Sequence, residues 1–227
     1  MRTLIVCVAS LACLLAFAPA DEGTRPDNVP PPGFRALFNG RDLSGWQGVI
    51  PLPQRIKLMA NPRLYEQRQR EANRRILPHW HVRNGVLFYD GKGNSLQTIE
   101  DFGDFELLVD WKIEPGGDSG IYIRGVPQVQ IWDPAQHPEG SGGLFNNRKH
   151  PNKPLKCADR PAGQWNRFRI IVRGDRVTVY LNGELVVDNT PLENYWDRSK
   201  PLPKRGPIEL QHHGSKLWFK NIFIREL

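Results

Sequence analysis

The sequence predicts an all-β protein, a two-sheet antiparallel jelly-roll sandwich with one inserted surface helix. Many short segments alternate apolar and polar residues, as a strand does when one face packs a core and the other faces solvent. Twenty prolines and 21 glycines supply turns between these segments. Short strands separated by frequent turns are typical of sandwiches and jelly rolls.

The first 20 residues have the pattern of a secretion signal. Arg2 precedes an apolar run over 4–20, which ends in the small-residue sequence APA. This run is too short for a good membrane span. We expect cleavage after Ala20 and a secreted or periplasmic bacterial protein without further membrane contact, with lipoprotein processing at Cys13 as the alternative. The predicted organisation is a signal at 1–20, a linker at 21–33 and one jelly-roll domain at 34–227, with a basic helical insertion at about 50–79.

The insertion contains the one helix that the sequence predicts with its caps. Asn61 is a suitable N-cap, Pro62 suits the first helical position, and 64–76 contains neither Gly nor Pro. The apolar stripe of this segment is thin, which indicates a solvated surface helix. A lid beside the functional site is the alternative.

Three successive strands are predicted over 104–113, 119–125 and 127–133. In each strand one parity is apolar and is expected to pack the core. The other parity carries Glu106, Asp110, Tyr122, Arg124, Gln128, Gln130 and Trp132. Carboxylates and amides match sugar hydroxyls, and aromatic rings stack on pyranose faces, so one shared polar face suits a sugar-binding surface. An ordinary solvated sheet face is the alternative.

The remaining strands follow similar patterns. Asn-Gly turns divide 79–90 and the second half of 167–188, and both are typical of β-hairpins. In the segment 206–214, Ile208, Leu210 and His212 share the core parity. Glu209, Gln211 and His213 share the other parity and are expected to join the polar face of the earlier strands.

Charge and motif content exclude several functions. The net charge is +7, but most of the excess lies within 50–79, so we expect no nucleic-acid partner. Cys157 is the one cysteine beyond the signal and therefore has no internal disulfide partner. The sequence has no phosphate-binding glycine pattern and no nucleophile elbow. It predicts no particular oligomeric state.

Several motifs occur in the order seen in one family: FRALFNGRDLSGW (34–46), HWHVRNGVL (79–87), SGGLFNN (141–147), VYLNGELVVD (179–188) and GPIELQHHG (206–214). With these motifs, the chain resembles the DUF1080 family, also called the 3-keto-disaccharide hydrolase domain, over about 34–227. The resemblance implies a concanavalin A-like jelly roll with a carbohydrate-facing concave side. It also implies cleavage of glycosides whose sugar is oxidised to a ketone at carbon 3. Many members have Glu where this chain has Gln128.

The implied substrate class sets the chemistry of the site. A ketone at carbon 3 acidifies the hydrogen at carbon 2, so a base can form an enolate and the glycosidic oxygen can leave carbon 1. The site needs a base, an enolate stabiliser and an acid. We expect Glu209 or His213 as base, Arg124 or a bound metal as stabiliser, and Glu106, Asp110 or the second of Glu209 and His213 as acid. The expected substrate-binding residues are Tyr122, Gln128, Gln130, Trp132, Asp133, Gln211 and Trp196.

Other interpretations stay open at this stage. No cofactor is required, and a divalent metal is possible, although His212 and His213 are expected to point to opposite faces. Ordinary glycoside hydrolysis would pair Glu209 with Glu106 or Asp110 across a cleft. A non-catalytic carbohydrate-binding module or lectin would use the same polar face. An interaction domain would instead use the basic helix.

Overall fold

Two antiparallel β-sheets face each other across one apolar core in this computed structural model, which describes residues 25–227. The predicted all-β jelly-roll sandwich is confirmed. The predicted signal lies outside the described residues. Within the described part of the chain, no helix is long and apolar enough to cross a membrane.

The large sheet has eight strands. The strands are β1 (Arg35–Ala36), β3 (Trp80–Arg83), β4 (Val86–Tyr89), β6 (Phe105–Ile113), β9 (Asn166–Arg173), β10 (Arg176–Leu181), β11 (Glu184–Pro191) and β13 (Leu217–Glu226). Their order in space is β11-β10-β9-β6-β13-β4-β3, with β1 beside β13. The predicted Asn-Gly turns connect β3 to β4 and β10 to β11, and all four turn residues have positive φ, as such hairpins require.

The small sheet has five strands in the order β2-β5-β12-β7-β8. They are β2 (Trp46–Gly48), β5 (Leu96–Thr98), β7 (Asp118–Tyr122), β8 (Gln128–Trp132) and β12 (Glu209–Leu210). The short strand β12 lies at the centre, paired with β5 on one side and β7 on the other. The small sheet therefore brings together segments that are far apart in the sequence.

Alternating side chains from both sheets fill the core as predicted. Phe105, Leu107 and Val109 of β6 are fully buried on the large-sheet side, and Ile121 and Val129 are fully buried on the small-sheet side. Burial of one such side chain contributes about 1.5–3 kcal/mol. This shared core fixes which side chains of each sheet point away from it.

Charged pairs join the strands on the outer face of the large sheet. Glu106 of β6 accepts hydrogen bonds from Arg169 of β9, with a distance of 2.6 Å, and from Arg225 of β13. Burial alone raises the pKa of the Glu106 carboxyl, but the two arginines outweigh it, so the net pKa is lowered. Asp110 binds Arg167 at 2.6 Å and Asn221 at 2.7 Å. Both carboxylates therefore hold three adjacent strands together.

Two helices precede β3, where the sequence predicts one. They are α1 (Leu52–Leu58) and α2 (Pro62–Ile76), and a short 3-10 turn follows at Leu77–His79. The side chain of Asn61 accepts a hydrogen bond from the backbone of Leu64, so it caps α2 as predicted. The helix α1 was missed because Pro51 and Pro53 flank its start, where the sequence reads as a turn.

The helix α2 packs against the edge strand β2 and is not fully solvated. Gln69 donates a hydrogen bond to the carbonyl of Gly48, and the amide of Gly48 donates to the side chain of Asn73. A side chain on Gly48 would lie 2.9 Å from the carbonyl oxygen of Ala72. The helix α2 therefore lies on the surface, and its few buried side chains cover one edge of the small sheet.

Candidate active site

Five side chains form a row across the outer face of the small sheet. Glu209 of β12 lies opposite Gln97 of β5 and Tyr122 of β7. Gln47 of β2 extends the row on one side, and Gln128 of β8 extends it on the other. We call these five residues the central row. Their neighbours Leu96, Leu210, Ile121 and Val129 face the core, so alternation points the central row away from it.

Several polar atoms on this face are buried without a hydrogen-bond partner among the described residues. They are Gln47 Nε2, Gln97 Nε2, Gln211 Oε1 and Trp132 Nε1. Gln69 Oε1, on the helix that covers the edge strand, is also unpartnered. Buried polar groups normally find hydrogen-bond partners, and each buried group left without one costs about 1–3 kcal/mol of stability. This face therefore holds unused hydrogen-bonding capacity that a polar ligand can satisfy.

Glu209 has a carboxyl group whose pKa is shifted towards neutral pH. Burial raises the pKa of its carboxyl to about 7, and a hydrogen bond from Ser95 lowers it only in part. The Ser95 hydroxyl accepts a hydrogen bond from the backbone of His212 at 3.0 Å. The ring of His212 in turn bonds the hydroxyl of Tyr89. A base is most useful when its pKa lies near the working pH, and Glu209 meets that condition.

Aromatic residues form one wall beside Glu209. The ring centroids of Tyr122 and Tyr195 are 5.9 Å apart, and those of Tyr195 and Trp196 are 4.5 Å apart. Burial raises the pKa of both tyrosines, so both keep their protons at neutral pH. The Trp196 Nε1 donates to the carbonyl of Gly125 at 3.0 Å, while its side chain stays exposed. This wall offers hydroxyl groups and a ring for a sugar to contact.

The strands β7 and β8 continue the polar face beyond the central row. Gln128 donates to Gln130 at 2.5 Å, and Gln130 donates to Asp118 at 2.6 Å. The ring of His213 lies 3.6 Å from Asp118. Gly120 leaves room for these side chains, since a Cβ there would lie 2.4 Å from Gln128 Cγ. A histidine side chain therefore lies on the same face as Glu209.

Trp132 marks the far edge of the face. Its ring stacks on His137 with a centroid distance of 4.2 Å and meets Phe145 edge-on. It is half-buried, and its Nε1 is one of the unpartnered atoms. Gln211 lies on the same face and donates a hydrogen bond to the Tyr122 hydroxyl at 3.3 Å. Both Trp132 and Gln211 therefore lie on the face where the sequence predicts contacts with a sugar.

Four residues expected at the site lie elsewhere. Glu106 and Asp110 point outward from the large sheet, in the direction opposite to the small-sheet face. The shared face expected for them is wrong, and so is the pairing of either one with Glu209 across a cleft. The alternation of apolar and polar residues shows which side chains point away from the core. It does not show to which of the two sheets a strand belongs.

Arg124 and Asp133 are also displaced from the expected face. Arg124 adopts a positive φ of 56°, so alternation ends before it, and its guanidinium donates to the carbonyl of Gly174. The Asp133 carboxylate accepts hydrogen bonds from the backbone of Gly116 and Ala135. Arg124 therefore lies at the end of the sandwich, and the Asp133 side chain stabilises the backbone of the loops at Gly116 and Ala135.

Sequence reasoning missed other members of the site. Gln47 and Gln97 lie in strands of three residues, which are too short for a readable alternation. Asp118 lies in a segment that reads as a glycine-rich loop, and Tyr195 lies in a loop whose position only the fold reveals. Among residues 25–227, no group of three His, Cys, Asp or Glu side chains is arranged to hold a metal ion.

Comparison with known proteins identifies the family. The family description 3-keto-alpha-glucoside-1,2-lyase-like domain matches residues 33–225. The chain belongs to this family. It is also 23% identical to a 3-keto-disaccharide hydrolase of Bacteroides thetaiotaomicron over an alignment of 252 positions, gaps included, which covers 86% of this chain and 79% of that protein.

Solved structures agree with the fold. Two crystal structures from Parabacteroides distasonis, provisionally named glycosyl hydrolases, superpose with TM-scores of 0.65 and 0.63. The first is 21% identical and covers 89% of this chain and 100% of its own. The second is 26% identical and covers 91% and 95%. The fold of this chain is thus shared with these two structures.

The raised pKa of Glu209 predicts a pH-dependent cost in stability. Since the neutral form is favoured in the folded state, the wild type should lose up to about 3 kcal/mol of unfolding free energy as pH rises from 4.5 to 7. Glu209→Gln removes this loss, so the variant should gain stability over the wild type across that range. Denaturant unfolding at pH 4.5 and 8 measures the difference. An equal difference at both pH values would contradict the raised pKa.

Proposed function

We propose that the protein cleaves 3-keto-glycosides on the outer face of the small sheet, with Glu209 as the catalytic base. The observation that carries this proposal is a carboxyl group with a pKa of about 7, set between an unpartnered amide and a tyrosine. The family description supports the substrate class. The pKa supports a base that works at neutral pH without a metal-bound hydroxide.

The first step is removal of the carbon 2 hydrogen. The carbonyl at carbon 3 makes this hydrogen acidic, and the ionised Glu209 carboxylate takes it as a proton. The electron pair of the broken C–H bond moves into the enolate, whose negative charge lies on the carbon 3 oxygen. Gln97 and Tyr122 flank Glu209 and supply hydrogen-bond donors for this oxygen. Preorganised donors at a developing oxyanion are often the largest catalytic contribution.

The second step is departure of the leaving group. The enolate electrons form the carbon 1–carbon 2 double bond as the bond from carbon 1 to the glycosidic oxygen breaks. We assign His213, held near Asp118, as the acid that gives its proton to this oxygen. The product is an unsaturated keto sugar, which completes an elimination. Addition of water across the new double bond turns the net reaction into hydrolysis.

The rest of the face would bind the sugar. Gln47, Gln128, Gln130 and Gln211 present amides that match hydroxyl groups, and three unpartnered amide atoms among Gln47, Gln97 and Gln211 gain partners when a sugar binds. Trp132 and Trp196 offer rings at two edges. A lectin would need these contacts too, but it would not need a carboxyl group whose ionisation is held near neutral pH.

The reaction is proposed to occur outside the cytoplasm. The pattern of residues 1–20 supports export, and we propose cleavage after Ala20 without lipid attachment. Expression of the full chain in a Gram-negative host, followed by fractionation and intact mass measurement, tests this. The predicted product is a periplasmic or extracellular protein that begins at Asp21. A membrane-bound, acylated protein that begins at Cys13 would contradict the proposal.

Loss of the base should abolish turnover. Glu209→Gln should lower kcat on a 3-keto-glucoside by about 10²–10⁴-fold. In the wild type, kcat/KM should rise about tenfold per pH unit below 7, because the base must lose its proton, and should fall again at alkaline pH, where the acid has lost the proton that it must donate. Aglycone release, measured by mass spectrometry across pH 5–9, gives both quantities. The unoxidised glucoside should not react.

Control variants on the large sheet distinguish a loss of catalysis from a loss of stability. Glu106→Gln and Asp110→Asn remove carboxylates from the opposite face, so they should lower stability and leave turnover per folded molecule unchanged. Equal turnover by the wild type and Glu209→Gln would exclude Glu209 as the base. No turnover by the wild type, together with saturable sugar binding, would favour the lectin.

A further inference from the structure

An open cavity lies at the end of the sandwich. It has a volume of about 660 Å³ and is lined by the turn between β9 and β10, by residues of the segment 192–204, and by Asp104 and Arg124. Its basic lining residues are Arg124, Lys149, His150, Arg198, Lys200 and Lys204. The proposed reaction uses none of these residues.

Arg124 is the unusual member of this cavity. It is only 3% exposed, and its Nε has no hydrogen-bond partner among the described residues. Its Nη2 donates to the carbonyl of Gly174 at 2.8 Å. Asp104 and Asp175 attract it electrostatically but accept no hydrogen bond from it, and Asp104 is bonded to the backbone of Gly174. A buried guanidinium is normally paired with a carboxylate, so this one lacks its usual partner.

The other cations of the cavity differ in how they are paired. Arg198 pairs with Glu193, and Lys200 pairs with Asp197 at 3.1 Å. Lys149 and Lys204 form no ion pair within residues 25–227 and line the same cavity as Arg124. Three cationic groups are therefore available to a ligand, one of them buried and fixed in orientation.

We propose that this cavity binds an oxyanion group, a carboxylate, sulfate or phosphate. The planar guanidinium of Arg124 matches such groups in geometry, and Lys149 and Lys204 add positive charge at the cavity wall. Binding gives the buried charge the partner that it lacks. This inference goes beyond the proposed reaction and does not depend on it.

The cavity shares a wall with the small-sheet face. Asn194 lines the cavity, while its neighbour Tyr195 contacts Tyr122 of the central row. Trp196 then bonds the carbonyl of Gly125, the residue after Arg124. The oxyanion therefore has two sources, an acidic substituent on a glycan bound at the face or a free inorganic ion, and both use the same chemistry.

Calorimetric titration of the purified mature protein with sulfate and phosphate, at constant ionic strength in chloride, tests the proposal. The wild type should bind with measurable affinity. Arg124→Gln should bind these anions at least about tenfold more weakly than the wild type. The Lys149→Gln, Lys204→Gln double variant should also bind them more weakly. Lys153→Gln is the matched control, because Lys153 is exposed and lies outside the cavity lining. Thermal unfolding checks that each variant is folded. If Arg124→Gln does not fold, the lysine double variant tests the proposal instead.

Titration with methyl glucuronoside and methyl glucoside shows whether the oxyanion is an acidic substituent of a sugar or a free inorganic ion. Binding of the glucuronoside alone, weakened by the same variants, identifies an acidic sugar substituent. Binding of the inorganic ions without the glucuronoside identifies a free ion. Either result supports the oxyanion site. No binding of any anion to the wild type, or equal binding in all variants, would overturn it. These outcomes are independent of whether the protein cleaves a 3-keto-glycoside.

Discussion

The register of the small sheet is the constraint on which the site depends. Pairing of β12 with β5 and β7 places Glu209 directly between Gln97 and Tyr122. Since alternate residues face opposite sides, a slip of one residue on β12 would turn Glu209 into the core and Leu210 outward. The buried side chains on the other side of this sheet therefore determine the position of the carboxyl group as firmly as any contact at the site.

The site carries an energetic cost that the remainder of the molecule offsets. A partly buried carboxyl group with a raised pKa and several amide atoms without partners among the described residues both disfavour the folded state. In contrast, the outer face of the large sheet is rich in satisfied charged groups, where Glu106 and Asp110 bind arginines on adjacent strands. The two outer faces therefore differ in character: one stabilises the sandwich, and the other retains capacity for a ligand.

The sequence predicted the architecture, most hairpins and the orientation of Glu209 away from the core, because alternation and turn residues are local signals. It could not predict which sheet each strand joins, so Glu106 and Asp110 were assigned to the wrong face. It also could not predict that Arg124 adopts a left-handed conformation, which ends the alternation of β7. Gln47, Gln97 and Tyr195 reach the site only through strand pairing and loop position. Such contacts depend on long-range packing and leave no periodic signal in the chain.

The most direct test of this account is a crystal structure of Glu209→Gln with a bound 3-keto-glucoside. In the proposed mechanism the sugar lies on the small-sheet face, with carbon 2 beside residue 209 and the carbon 3 oxygen within hydrogen-bond distance of Gln97 or Tyr122. A sugar bound on the outer face of the large sheet, or one whose carbon 2 lies away from residue 209, would contradict it.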